Sequence, residues 1–173
     1  MRESILLPKF LTKELASFAV SSVINGIFEA EPRYRMPLKR RMCHIVVLVP
    51  SRCMDDDTSY PNYTVRPHVL YQHSLGQKSE WPHRFDKIAK SKALELWQDR
   101  NDDRTDIMPH LLFTGETPYW GGVKRRGIVV TCSGVQPWFD KMVSGMIADA
   151  MVALAYDAWM NSQIINGQVD FLT

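Results

Sequence analysis

Apolar and polar positions alternate along the chain with two periods, and these mark out most of its elements. Leu11, Leu15, Phe18, Ala19, Val23 and Ile27 recur at spacings of three and four, so a helix is expected from about Leu11 to Phe28, with Thr12 and Glu14 near its start. "HIVVLVPS" is an unbroken β-branched apolar run that stops at Pro50, the pattern of a central strand covered on both faces. "HVLYQHSLG", His68 to Gly76, alternates and predicts a second strand. Phe85, Ile88, Ala89, Ala93, Leu96 and Trp97 share one helical stripe, with Trp81-Pro82 suited to the helix entry. "HLLFTG" reads as a short strand and "VKRRGIVVTCSG" as a longer one, joined by a turn through Gly115, Pro118 and "YWGG". "GVQPWFDKMVSGMIADAMVALAYDAWMN", Gly134 to Asn161, reads as the longest helix, apolar around much of its circumference.

Strands joined by turns, with helices between the pairs, predict an α+β fold around a central antiparallel sheet flanked by helices. At 173 residues the chain is expected to form one domain, 1–173, with a core large enough to need no staples. No internal repeat or low-complexity segment interrupts it.

Composition narrows the function classes. A hydrophobic fraction of 45% with 23% charged residues is that of a soluble globular protein, and the net charge of +2 gives no field that marks a nucleic-acid partner. No apolar run is long enough to span a bilayer, and the N-terminus lacks a secretory cleavage site, so a cytoplasmic location is expected. Cys43, Cys53 and Cys132 have neither zinc-ligand nor redox-motif spacing and read as free thiols.

Candidate chemistry is sparse. "EAEPRYRMPLKRR" is a proline-punctuated basic loop: a solvated face, or an anion site. Asp55, Asp56 and Asp57 are consecutive and lack the alternation and central glycine of a calcium loop, so no metal is expected there. "TGETPYWGGVKRRG" places its lysine before a strand, which excludes a phosphate loop, and no dinucleotide fingerprint occurs. Tyr119 and Trp120 beside Gly121-Gly122 form an aromatic turn with bare backbone, suited to a flat small molecule. Aromatics covering the core edge of a hairpin would look the same. Ser133 lacks a G-x-S-x-G context, and no catalytic triad order is present.

"FDKIAKSKALELW" followed by "GETPYWGGVKRRGIVVTCSGVQPWFDKMVSGMIADAMVAL" resembles the GlcG/HbpS-type family of haem-associated proteins. The resemblance rests on Lys92-Ala93, Gly121-Gly122, "GIVVTCSG" with Ser133, and Asp140 opening the last helix, and it spans about Leu11 to Leu154. It implies a profilin-like fold, a homo-oligomer, and a haem or other flat cofactor as ligand. Lys92 and Ser133 then join Tyr119, Trp120, Gly121 and Gly122 as ligand-binding candidates. His73 joins them because it stands near the position of a family arginine after the second strand. The chain departs from the family where Pro50-Ser51 and "QHSLG" replace an aspartate and Arg-Met-Asp-Gly. The expected function is therefore a small-ligand-binding protein. A structural or interaction module that has lost the ligand, or an enzyme with its site at the Gly115–Gly122 turn, are the alternatives. Self-association to at least a dimer, through Trp138 or Trp159, is expected from the unspent apolar surface of the last helix.

Overall fold

A computed structural model describes residues 5–53, 64–101 and 108–162. The aspartates Asp55–Asp57 and the apolar tail 168–173 lie outside the described residues. The elements in chain order are β1 (Ile5–Leu6), α1 (Lys13–Phe28), β2 (Cys43–Cys53), β3 (Arg66–Leu75), α2 (Phe85–Trp97), β4 (Gly122–Arg125), β5 (Ile128–Ser133) and α3 (Pro137–Met160). Short 3-10 turns stand at Pro32–Tyr34, Lys78–Glu80 and Pro109–Leu111.

Strand β2 organises the sheet. It pairs antiparallel with β3 from Cys43↔Leu75 to Ser51↔Arg66, and with β5 from His44↔Ser133 to Leu48↔Val129. Strand β4 adds to β5, and β1 pairs with Arg52 and Cys53 at the end of β2. The result is a five-stranded antiparallel sheet. Because side chains alternate across a strand, Cys43, Ile45, Val47 and Val49 pack with α1 and α3 on one face, while Val46 and Leu48 pack with α2 on the other. Burial on both faces explains why the run is continuously apolar; each such side chain contributes roughly 1.5–3 kcal/mol. The fold is α+β, a central antiparallel sheet flanked by helices with a long C-terminal helix.

Helix α1 starts at Thr12, whose backbone is extended and whose hydroxyl accepts the Leu15 amide at 3.2 Å. Its buried stripe is Ala16, Ala19, Val20, Val23, Ile24, Ile27 and Phe28. Phe18, expected on that stripe, is 62% exposed. Strand β2 runs through Pro50 instead of stopping there. The ladder with β5 has already ended at Leu48, so the missing amide of Pro50 breaks no bond on that edge.

Two expectations about the later strands are corrected. "VKRRGIVVTCSG" is a hairpin, not one strand: β4 and β5 turn at Arg126 and Gly127, both with positive φ (47° and 85°), as a tight two-residue connection requires. "HLLFTG" forms no strand. Side chains take its backbone groups, with Arg100 donating to the Leu111 carbonyl at 2.9 Å and Glu116 accepting the Phe113 amide at 2.8 Å. No helix among the described residues is long and apolar enough to cross a membrane.

Ile147 is fully buried between the sheet and α1, whereas Phe18 touches mainly solvent. Denaturant unfolding should therefore show Ile147→Ala losing about 2–5 kcal/mol. Phe18→Ala should stay within about 0.5 kcal/mol of the parent protein.

Candidate functional site

The end of β5 brings the two faces of the molecule together. After Ser133 the chain turns through Gly134 and enters α3 at Pro137, so the first turn of α3 meets the middle of α2. There Lys92 of α2 reaches the Cys132 carbonyl at 3.0 Å and Asp140 Oδ2 at 3.2 Å. Asp140 Oδ1 accepts the Val135 amide at 3.2 Å, closing the turn. Both side chains are buried, 1% and 5% exposed. Burial pushes the Asp140 carboxyl above its ordinary range, opposed by the Lys92 charge and the Val135 amide.

A cleft of about 150 Å³ opens over this pair. Lys92, Ser133 and Asp140 line it, with Phe85, Ile88, Tyr119, Trp120, Val135 and Pro137 as apolar walls, and Arg40, His83 and Gly134 complete the lining. Lys92, Tyr119, Trp120 and Ser133 thus come together as expected from the sequence. His73 is not among them. It pairs with Ile45 in the ladder, so it shares the face occupied by α1 and α3, where its ring stacks with Tyr71.

Gly121 and Gly122 do not line the cleft; they sit behind it. A Cβ on Gly121 (φ 118°) would fall 2.7 Å from Asp140 Cβ and 2.8 Å from the Pro137 carbonyl. One on Gly122 would fall 2.6 Å from Leu96 and from Thr131. Both glycines permit β4 to pack against α2 and α3, which is a different use from offering backbone to a ligand.

The loop carrying Tyr119 and Trp120 is anchored at its start. The Thr117 amide donates to Ser91 Oγ at 2.9 Å, and Ser91 donates to Glu95 Oε1 at 2.7 Å. Arg100 makes a two-pronged ion pair with Glu116 one residue earlier, which lowers the Glu116 pKa chiefly through its hydrogen bonds. On the opposite wall, Gln136 clamps the basic loop: its side chain accepts the Lys39 amide at 2.9 Å and donates to the Pro37 carbonyl at 3.2 Å. That clamp holds the segment next to Arg40.

The chemistry open to the site is limited. Cys132, beneath Lys92, is fully buried, and its hydrogen bond with Cys43 together with burial raises its pKa well above the ordinary range, so it remains an inert thiol. His44 hydrogen-bonds Ser74 at 2.9 Å and meets Trp81 edge-on, and burial lowers its pKa; it is a packed histidine. Among the described residues no group of histidine, cysteine and acidic side chains is arranged to hold a metal ion.

No protein-family model, curated protein or solved structure matches the chain. The residues alone therefore carry the functional reading. The cleft, at about 150 Å³, is smaller than the roughly 300 Å³ at which pockets for drug-sized ligands and cofactors begin. The expected histidine, His73, lies on the opposite face of the sheet. A larger hollow of about 520 Å³ lies between Arg125, Arg126 and the outer side of α3, but exposed side chains such as Asp149, Tyr156 and Met160 form it. The smaller cleft is floored by the buried polar groups Lys92, Ser133 and Asp140.

Sequence reasoning missed Arg40, His83 and Phe85 as neighbours of Lys92. Arg40 had a signal, the basic loop read as a possible anion site. His83 carried none, and Phe85 only its place on the apolar stripe of α2.

Two variants check the site's construction. Gly121→Ala should lose about 1–3 kcal/mol in thermal or denaturant unfolding, because the new methyl meets backbone and the strained φ leaves it no way out. Glu95 is fully buried, its Oε2 has no hydrogen-bond partner among the described residues, and burial raises its pKa. The folded state then holds its proton to higher pH than the unfolded chain, so stability falls as pH rises from roughly 4.3 through the raised value. Glu95→Gln should remove that part of the slope: its stability relative to the parent protein should rise with pH across this window and be smallest at its acid end.

Proposed function

We propose that the chain is a small-ligand-binding protein whose ligand sits in the cleft over Lys92 and Asp140. The observation that carries this reading is the coincidence of aromatic walls with a floor of buried polar groups, the usual composition of a small-molecule site. The resemblance to the GlcG/HbpS-type haem-associated family agrees with ligand binding in general. The dimensions favour a ligand of one-ring size in place of haem, since an enclosed volume of about 150 Å³ accepts benzene in an apolar protein cavity.

Titrating ¹⁵N-labelled protein with phenol tests this. Saturable shifts of the Trp120 indole and the Ser133 amide are the expected result; shifts confined to other regions, or none, contradict it. Haemin titrated in parallel is expected to give no saturable Soret change. A one-to-one Soret change abolished by His73→Ala would instead assign haem and move the site to the other face of the sheet.

A second reading, an interaction module, is supported by the outer surface of α3. Trp138 is 58% exposed, Met146 46% and Tyr156 61%, and Trp159 lies beside Tyr156 in an edge-on contact. Exposed apolar area on this scale is commonly covered by self-association. Light scattering at micromolar concentration should show at least a dimer, and Trp138→Glu or Trp159→Glu should shift it toward monomer. A single 19.9 kDa species in the parent protein would contradict self-association.

A further inference from the structure

The floor of the cleft has two hydrogen-bond donors with capacity left over among the described residues. An ammonium group carries three N–H bonds. Lys92 uses two of them, on the Cys132 carbonyl and Asp140, and has no third acceptor among the described residues although it is 1% exposed. Ser133 is 4% exposed, and its hydroxyl makes no hydrogen bond among the described residues. Both line the same cleft, so each can donate to a group bound there.

The charge on the lining points the same way. Arg40 and Lys92 carry two positive charges against one negative charge on Asp140, leaving a net +1 before His83 is counted. Asp140 is already engaged through both oxygens, by Lys92 and by the Val135 amide. Arg40 is half-buried and follows the segment that Gln136 clamps against the β5–α3 turn. The remaining lining is apolar or aromatic, from Phe85, Ile88, Tyr119, Trp120, Val135 and Pro137.

We infer that the ligand class is a small aromatic monocarboxylate, one ring bearing one carboxylate. The inference rests on the ligand-binding reading of the cleft and adds the charge and shape of the occupant. The carboxylate supplies the acceptors that the third N–H of Lys92 and the Ser133 hydroxyl lack, and its single charge offsets the net +1. A volume of about 150 Å³ leaves room for one ring against the aromatic walls. A dianion would face Asp140 with an excess of negative charge, and a neutral ring would leave the cationic excess unbalanced.

The test compares benzoate with benzamide, which has the same shape and no charge, and with inorganic phosphate. Binding is followed by amide and indole shifts of the parent protein, Ser133→Ala and Arg40→Ala. Benzoate should bind at least about tenfold more tightly than benzamide, the factor carried by one charge-assisted hydrogen bond. Arg40→Ala should weaken benzoate by about tenfold and leave benzamide unchanged. Ser133→Ala should weaken benzoate more than benzamide. Equal binding of benzoate and benzamide at Trp120 and Ser133 would overturn the carboxylate assignment while the cleft stands as a ligand site. Saturation of the same residues by phosphate at lower concentration than benzoate would overturn the aromatic part. Absence of shifts there with all three, and with phenol, would overturn the assignment together with the ligand-binding reading.

Discussion

The buried pair between Lys92 and Asp140 is the interaction on which the site depends. It ties α2, on one face of the sheet, to α3, on the other, across the end of β5, and both residues also hold backbone of that turn. A buried ion pair adds little net stability by itself, because desolvation offsets attraction. Removing one partner, however, leaves a charge stranded where water cannot reach it. The geometry of the turn, the first turn of α3 and the middle of α2 is therefore fixed by electrostatics as well as packing. The same arrangement leaves Lys92 with a spare proton facing the cleft.

Glycines make that approach close enough. Gly121 and Gly122 let β4 reach α2 and α3 without side chains intervening, and Gly134 (φ 142°) lets the β5–α3 turn press on Met42 and Cys43, where a Cβ would fall 2.4 Å from the Met42 carbonyl. The glycine-rich stretch from Thr114 to Asp140 is thus mostly about elements meeting one another. Its aromatic pair, Tyr119 and Trp120, and its C-terminal end from Ser133 to Asp140 are the parts that face the cleft.

Much of this was legible before any coordinates. Strong periodicity placed α2 at Phe85–Trp97, and the double-faced burial of β2 followed from its unbroken apolar run. The family resemblance picked out Lys92, Ser133 and Asp140, residues that periodicity cannot relate because up to 48 positions separate them. The failures have physical causes. The β4–β5 turn was hidden because Arg126 adopts a positive φ that its residue type does not advertise. "HLLFTG" was misread because its hydrogen bonds go to the Arg100 and Glu116 side chains, which no strand pattern reveals. His73 was placed at the site from the resemblance, by its position after the second strand; which face of β3 it takes depends on the pairing with Ile45, and a shift of one residue would have reversed it.

The most direct measurement of the central claim, that the Lys92–Asp140 turn builds a ligand seat, is a crystal structure of the protein grown with saturating benzoate. The account predicts a ring between the Tyr119–Trp120 loop and Phe85, with a carboxylate oxygen about 2.7–2.9 Å from Lys92 Nζ. A cleft left empty, or benzoate seated instead in the hollow beside Arg125 and Tyr156, would contradict it.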